Sequence, residues 1–162
     1  MQADLVVSAG RARYRGRSLV CAIGRGGIGE KSGEGDGITP VGTFAVERWL
    51  YRADRLTLDR GTAIGPRDLW CDDPTDPAYN TACHVPRRGS HERLRRADGL
   101  YDLVGVLDYN RALIVPGRGS AIFLHVWRGP RRQTEGCIAF RRLDLLWIAR
   151  TWTSRSRVRV QS

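Results

Sequence analysis

The sequence predicts a mainly β protein with a mixed sheet core and one clear C-terminal helix. Short apolar segments recur along the chain, and stretches rich in glycine and proline separate them, as is typical of strands joined by turns. Residues 144–152 are the best helix candidate, because helical spacing gives them an apolar face formed by Leu145, Ile148, Ala149 and Trp152. No internal repeat or linker divides the chain, so we expect a single domain over residues 1–162.

The first part of the chain is expected to form short strands around turns. Residues 4–9 and 18–23 are apolar and are predicted to be a β-hairpin or two adjacent strands. Residues 24–37 are dense in glycine, but no helix opens from them, so we interpret them as a flexible surface loop rather than a nucleotide site. In residues 38–46 a proline–glycine turn leads into an alternating strand. Residues 47–65 are arginine-rich and have no clear period.

The middle of the chain contains two polar segments with candidate binding residues. Residues 70–80 form an acidic loop with several prolines, and Tyr79 and Asn80 at its end are candidates to line a polar cleft and meet substrate ammonium groups. The alternative is a solvated loop whose carboxylates cap turns. Residues 90–96 are predicted to be a short helix with a serine N-cap, which leaves His91 exposed or in contact with substrate.

The last third is predicted to contain further strands. Residues 99–108 are apolar enough for a central strand, and Tyr109 then begins a hairpin turn that leads to a strand at residues 112–115. Residues 121–126 are predicted to be another strand. Residues 155–160 alternate charged and β-branched side chains, which we interpret as an edge strand.

The net charge of +10 is carried almost wholly by arginine, since Lys31 is the only lysine. Such a surface favours polyanions, among them nucleic acid, anionic cell-wall polymer and lipid headgroups. No helix-turn-helix, zinc-finger or RNA-binding signature accompanies the charge, so no nucleic-acid partner is expected. No apolar run is long enough to span a bilayer, and residues 1–5 lack the basic and apolar regions of a secretory signal.

The four cysteines have no CxxC spacing, so no metal site is predicted. Cys21 lies in an apolar stretch and is predicted to be buried. Cys71 and Cys83 flank a loop and could pair in an oxidising compartment. Cys137 is the preferred candidate for a free, nucleophilic thiol.

The candidate chemistry lies in residues 122–139, which contain His125 and Cys137 on either side of a turn-rich segment. A thiol is mostly protonated at neutral pH, so a nucleophilic Cys137 needs a nearby base, and His125 can be that base. A glycine–proline turn at residues 129–130 is expected to return the chain. The resulting strand–turn–strand arrangement would bring imidazole and thiol within hydrogen-bond reach.

Two short motifs carry a family resemblance. Residues 39–44 read TPVGTF, which is similar to the TPxGxF signature of the L,D-transpeptidase catalytic domain, also called the YkuD domain. Downstream, His125 is followed by residues 134–138, TEGCI, which resemble the family pattern of a His, a spacer, and then Ser or Thr followed by HGC. The motifs occur in the expected order, and the resemblance, which covers most of the chain, implies a β-sandwich or barrel-like sheet core.

The resemblance also implies roles for the matching residues. Cys137 corresponds to the family nucleophile, His125 to its general base, and the backbone N–H groups around Gly136 to oxyanion donors. Thr134, the first residue of the TEGCI motif, and Tyr109 are further substrate-binding candidates. No cofactor is implied.

The implied reaction is attack on an L→D peptide bond of a peptidoglycan stem peptide, loss of the D-residue, and transfer of the thioester to an acceptor amine. The donor bond follows either the third stem residue or the L-Ala at the first. The implied compartment is the periplasm or cell envelope, where anionic envelope polymer would hold the arginine-rich surface.

The sequence departs from the family pattern at three places. Glu135 stands where His is usual, and we hypothesise that it contacts an ammonium group of the stem peptide; in an extended segment it would share a face with Cys137. Ala139 stands where an arginine is common, so Arg118 or Arg141 is a candidate to supply that charge. The spacer between the His and the Cys is short, which suggests a small lid.

Two other functions stay open from the sequence. The same thioester could be resolved by water, which would make the protein an L,D-carboxypeptidase or endopeptidase. The basic face could instead belong to a non-catalytic binding module for cell wall or nucleic acid.

Overall fold

Residues 4–162 are described by a computed structural model, in which β-strands predominate and the described part contains a single helix, α1 (Arg142–Thr151). The prediction of a mainly β fold is confirmed. The strands in chain order are β1 (Leu5–Ser8), β2 (Arg11–Tyr14), β3 (Arg17–Ala22), β4 (Ile28–Gly29), β5 (Thr39–Pro40), β6 (Gly42–Phe44), β7 (Val46–Tyr51), β8 (Thr62–Ala63), β9 (Asp68–Cys71), β10 (Thr81–His84), β11 (His91–Arg93), β12 (Leu103–Leu107), β13 (Phe123–Val126), β14 (Ile138–Phe140) and β15 (Val158–Val160).

Ten strands form one large curled sheet in the order β6, β15, β1, β2, β3, β14, β13, β12, β7, β8. The strands β10, β9 and β11 form a second sheet, and β4 pairs with β5. Inside the large sheet, β13 and β14 are parallel neighbours. The strand that carries His125 therefore lies directly beside the strand that follows Cys137.

The centre of the large sheet is covered on both faces, because alternate side chains of a strand point to opposite sides. Leu124 and Val126 of β13 belong to the same apolar cluster as the buried side of α1. On the other face, the ring of Phe123 contacts that of Trp70 in the small sheet, with centroids 5.2 Å apart. His125 points to the same side as Phe123, toward the small sheet.

The C-terminal helix is the element that the sequence predicts best. It begins two residues earlier than predicted and ends one residue earlier, and Leu145, Ile148 and Ala149 are buried as expected. The residue after it, Trp152, stacks on Tyr14 of β2 with ring centroids 5.8 Å apart. The helix is thereby tied to the N-terminal strands.

The N-terminal strands differ from the prediction. The segments 4–9 and 18–23 contain β1 and β3, but these are not neighbours, because β2 pairs with both. Ala12 and Tyr14 of β2 are buried and alternate with exposed arginines. Five of the six residues of β7 lie in the segment 47–65, for which the sequence predicts no strand.

Two predicted elements are wrong. The expected helix at residues 90–96 contains the strand β11 instead, which is paired with β9, so long-range pairing overrides the local helix signal. The expected strand at residues 112–115 is a loop, because the Asn110 side chain accepts from the Val115 N–H at 2.9 Å and donates to its carbonyl at 3.0 Å. Leu113 in this loop is 83% exposed.

Two strand arrangements also differ from the prediction. Residues 155–160 contain β15, which is not an edge strand, since it lies between β1 and β6. Its alternation reflects burial of one face only, with Val158 and Val160 inside. The segments around His125 and Cys137 do not form a hairpin, since β13 and β14 are parallel.

The four cysteines form no disulfide bond with one another. All four thiols are free, with Cys21, Cys71 and Cys83 buried and Cys137 partly exposed. Among residues 4–162 no helix is long and apolar enough to cross a bilayer. The sequence predicts no secretory signal at residues 1–5, and residues 1–3 of this segment lie outside the described residues.

Candidate active site

The turn that carries Cys137 is fixed by its own threonine. The Thr134 hydroxyl donates to the Cys137 carbonyl at 2.6 Å and accepts from the Gly136 N–H at 3.1 Å. The Thr134 backbone bonds to the segment that follows β3, donating to the Ile23 carbonyl at 2.9 Å and accepting from the Arg25 N–H at 2.8 Å. The turn that contains Cys137 is therefore held by a closed set of local bonds.

The TPVGTF motif supports this turn from beneath through Thr39, which is fully buried. Its hydroxyl donates to the Gly136 carbonyl at 2.9 Å and accepts from the Gly24 N–H at 2.8 Å. This hydroxyl thus joins its own segment to those of Gly24 and Gly136. Losing it would be costly, because both of its partners would be left buried and unpaired. The motif thus acts by positioning the turn.

Gly136 is required by its backbone and by its surroundings. Its φ is +142°, which side chains rarely adopt, and a Cβ there would lie 3.0 Å from the Ile38 carbonyl oxygen. Its N–H already donates to the Thr134 hydroxyl. The backbone donor at this turn that can bind an oxyanion is therefore the N–H of the neighbouring Cys137.

His125 and Cys137 lie diagonally across two neighbouring strands. His125 pairs with Ala139 and Leu124 with Ile138, so continuing the register puts Cys137 opposite Phe123. A step of two residues along a strand spans about 6.5 Å, and residues two apart share a face. The imidazole and the thiol therefore face the same cleft.

The bonds at the two groups define their resting state. His125 Nδ1 donates to the Val126 carbonyl at 2.7 Å, which leaves Nε2 as the basic nitrogen. The Cys137 thiol donates to the Ala121 carbonyl at 3.1 Å and accepts from the Phe123 N–H at 3.4 Å. In this state the thiol proton is directed at Ala121, and no hydrogen bond joins these two described side chains.

Burial keeps both reacting groups neutral. It lowers the pKa of His125 to about 4, and burial followed by the charge of Glu92 raises the pKa of the Cys137 thiol to about 12. At neutral pH the pair is therefore imidazole and thiol rather than an ion pair. His125 can act as a general base once a substrate is bound.

The two groups open into a cleft of about 600 Å³ between the large and small sheets. Its floor is formed by the Cys137 turn and β13, and its walls come from β11 and the segment that follows β13. The lining residues are His91, Glu92, Arg93, Arg96, Leu100, Tyr101, His125, Arg128, Arg132, Gln133, Thr134, Glu135, Cys137 and Ala139.

Of the predicted site residues, the structure brings His91, Thr134 and Glu135 to this cleft with the reacting pair. Glu135 is 76% exposed at its side chain and forms an ion pair with Arg25 at 3.0 Å. The carboxylate that acts electrostatically on Cys137 is that of Glu92 instead.

Tyr79, Asn80, Tyr109 and Arg118 do not line the cleft. Tyr79 and Asn80 are buried, and the Asn80 side-chain oxygen accepts from the Ala121 N–H at 3.0 Å. The Tyr109 hydroxyl donates to the backbone carbonyl of Arg118 at 2.9 Å. Asn80 therefore reaches the nucleophile only through Ala121, whose carbonyl accepts the thiol proton.

Neither Arg118 nor Arg141 lines the cleft, whereas other arginines do. Arg118 is outside the cleft lining, and Arg141 pairs with Asp144 at 2.9 Å. Four arginines line the cleft, and they are Arg93, Arg96, Arg128 and Arg132. Sequence reasoning missed their role because arginine pairs are frequent all along this chain.

Lys31 is a further residue that the sequence did not assign to the site. Its side chain is 3% exposed, and its Nζ donates to Asp36 at 2.6 Å and to the Ile38 carbonyl at 3.0 Å. A Cβ on Gly136 would lie 3.6 Å from that Nζ. The charge of Lys31 opposes the rise in the pKa of Cys137 that burial causes. The glycine-rich segment is thus internally bonded beneath the nucleophile.

Among the described residues, no group of three or more His, Cys, Asp or Glu side chains is arranged to hold a metal ion. The chemistry that this arrangement supports is attack by a thiol with an imidazole base.

Comparison with known proteins gives one finding. The family model described as L,D-transpeptidase catalytic domain (YkuD) matches residues 2–160, nearly the whole chain. No curated protein matches the chain.

Proposed function

Because the chain belongs to the L,D-transpeptidase catalytic domain family, which acts on peptidoglycan, we propose that it is a cysteine-dependent L,D-transpeptidase in which residues 1–162 form one catalytic domain. The observation that carries this proposal is the shared cleft of Cys137 and His125, whose Nε2 is left free by the bond of Nδ1 to Val126. The neutral resting state of both groups suits general-base activation of a thiol.

In the proposed acylation step, Nε2 of His125 takes the thiol proton while Sγ of Cys137 attacks the carbonyl carbon of an L→D peptide bond. The C–N bond then breaks, His125 returns the proton to the leaving amine, and the L-residue stays on sulfur as a thioester. The backbone N–H of Cys137 is the proposed oxyanion donor, and the Thr134 and Thr39 hydroxyls hold that turn.

In the second step, an acceptor amine attacks the thioester carbonyl carbon and His125 takes the amine proton. The C–S bond then breaks, and His125 returns that proton to Sγ, which restores the thiol. The new amide is the cross-link. The donor bond follows the third stem residue or the L-Ala at the first, and the reaction belongs to the periplasm, where peptidoglycan lies.

For the remaining site candidates we propose two kinds of role, contact with the substrate and support of the site. His91, Thr134 and Glu135, which line the cleft, contact the stem peptide. The buried group of Tyr79 and Asn80, together with Tyr109 and Arg118, supports the Ala121 segment behind the thiol.

The test is incubation of purified sacculi with the enzyme, followed by mass analysis of the released muropeptides. We expect new cross-linked dimers with the native enzyme and none with Cys137→Ser. Shortened stems without dimers would make the protein a hydrolase of the same bond. An unchanged muropeptide profile would contradict enzymatic function and favour a binding module.

A further inference from the structure

Glu92 is an acidic side chain in the nucleophile's cleft that lacks a cationic partner. Its Oε2 accepts from the Tyr101 hydroxyl at 2.5 Å, and within the described part of the chain its Oε1 makes no hydrogen bond and neither oxygen forms an ion pair. Four arginines line the same cleft, yet none of them pairs with it. A half-buried carboxylate without a cation is costly, so this one is poised to bind a cation.

The carboxylate is held by the framework of the site. Glu92 lies in β11 opposite Trp70, in the small sheet that packs on the large one. The ring of Tyr101, whose hydroxyl bonds Glu92, lies edge-on to the His125 ring with centroids 5.5 Å apart. Glu92, Tyr101 and His125 thus form one contiguous row beside Cys137.

The charges around Glu92 leave its carboxylate without a neutralising cation. Burial raises the pKa of Glu92, while the Tyr101 hydrogen bond lowers it. The other charged groups that act on it are Asp72, Glu34 and Arg96. Arg96 is itself held by Asp98 at 2.7 Å and lies over the Tyr101 ring, so its charge acts on Glu92 only from a distance, without an ion pair.

We propose that Glu92 is a specificity-determining residue that binds an ammonium group of the stem peptide beside Cys137. The proposal rests on the proposed function and moves the ammonium contact from Glu135, which is exposed and paired with Arg25, to Glu92. The arginines of the cleft rim suit the carboxylates of the same peptide.

The same contact couples binding to reactivity. The negative charge of Glu92 disfavours the Cys137 thiolate, and a bound ammonium cancels that charge. The thiol is therefore least reactive in the empty cleft and becomes more acidic when a peptide with an ammonium occupies it.

The experiment uses two synthetic donor stem peptides that differ only at the third residue, L-lysine in one and L-norleucine, which has the same side-chain carbons without the ammonium group, in the other. We expect the native enzyme to prefer the lysine donor in kcat/KM of acylation by roughly 10- to 100-fold, the range of a charged hydrogen bond. Glu92→Gln keeps an acceptor for Tyr101, and we expect it to lose this preference mainly through the lysine donor. Glu30→Gln, an exposed carboxylate outside the cleft, is the matched control and should keep the preference.

A second readout does not depend on donor turnover. Alkylation of Cys137 is selective because the other three cysteines are buried. At a fixed pH near neutrality, Glu92→Gln should be alkylated faster than the native enzyme. The gain should be roughly three- to fourfold for each unit by which the thiol pKa falls, because a more acidic thiolate is more abundant but less nucleophilic.

The outcomes separate the two proposals. Equal acylation of the native enzyme by both donors, or an equal loss on both donors in Glu92→Gln with unchanged alkylation, would overturn the role of Glu92 and leave the proposed function standing. If neither donor acylates the native enzyme, the proposed function fails and this inference fails with it.

Discussion

At the scale of single residues, we expect the protonation of His125 to control the proposed reaction. Its pKa is lowered to about 4 by burial, and only the neutral imidazole can accept the thiol proton. Activity should therefore be lost only as pH falls through about 4, rather than near the ordinary His value of about 6.5.

The check is the pH dependence of single-turnover acylation, measured with the norleucine donor so that Glu92 titration does not enter through ammonium binding. Tryptophan fluorescence at each pH confirms that the protein is folded. An acid limb centred near pH 6.5 would show that the imidazole is solvated in the working enzyme.

Gly136 allows a second prediction at this scale. Gly136→Ala forces a side chain into a positive-φ position 3.0 Å from the Ile38 oxygen, so we expect a loss of more than about 1 kcal/mol in the free energy of unfolding. Acylation should fall as well, because the Cys137 turn shifts.

Gly16→Ala is the matched control, since its φ is +76° and a Cβ there would meet nothing within 4 Å. Urea unfolding of both variants separates backbone strain from the clash. Equal losses in the two variants would mean that the Ile38 contact is unimportant.

At the scale of elements, the Thr39 hydroxyl links β5 to the turn that contains Cys137. Thr39→Val leaves the Gly24 N–H and the Gly136 carbonyl without their partner, which should cost about 1–3 kcal/mol of folding stability and slow acylation. Thr39→Ser keeps the hydroxyl and should restore most of both.

Thr43→Val is the control within the same motif, because Thr43 of β6 is exposed. Stability by urea titration and acylation rates are measured for all three variants. Full activity in Thr39→Val would show that the motif does not position the nucleophile.

The elements also show how far sequence reasoning reaches. The strand of His125 and the helix α1 were predicted because their apolar patterns are local. The sequence predicts no strand at β7 and favours a helix at β11, because both strands are defined by partners far along the chain. The strand β2 pairs locally with β3, but it is short and half of its residues are arginine. An alternating pattern, as in β15, reveals one buried face but not whether a strand lies at an edge.

The site follows the same division. Cys137 and His125 were found from a motif, whereas Glu92 and Tyr101 enter the cleft through the packing of the small sheet on the large one. Neither residue carries a local signal, since Glu92 fits a helix start and Tyr101 precedes a strand. Their proximity to the nucleophile follows only from the tertiary structure.

At the scale of the whole molecule, the charge of +10 should hold the enzyme on anionic envelope polymer. Binding through exposed arginines is screened by salt, with a Debye length of about 10 Å at 0.1 M falling to about 3 Å at 1 M. We expect co-sedimentation with sacculi to decrease steeply over this range, measured with Cys137→Ser to prevent turnover. Binding that does not depend on salt would contradict an electrostatic hold.

The central claim is that Cys137 is acylated by the L-residue of an L→D bond, and intact-protein mass spectrometry after acid quenching tests it most directly. With a synthetic donor stem peptide, the native enzyme should gain the mass of the donor minus its released D-terminal part, and peptide mapping should put that mass on Cys137. The gained mass also tells whether the bond after the third or the first stem residue was cut. An adduct on another residue, an adduct that persists in Cys137→Ser, or no adduct at all would contradict the account.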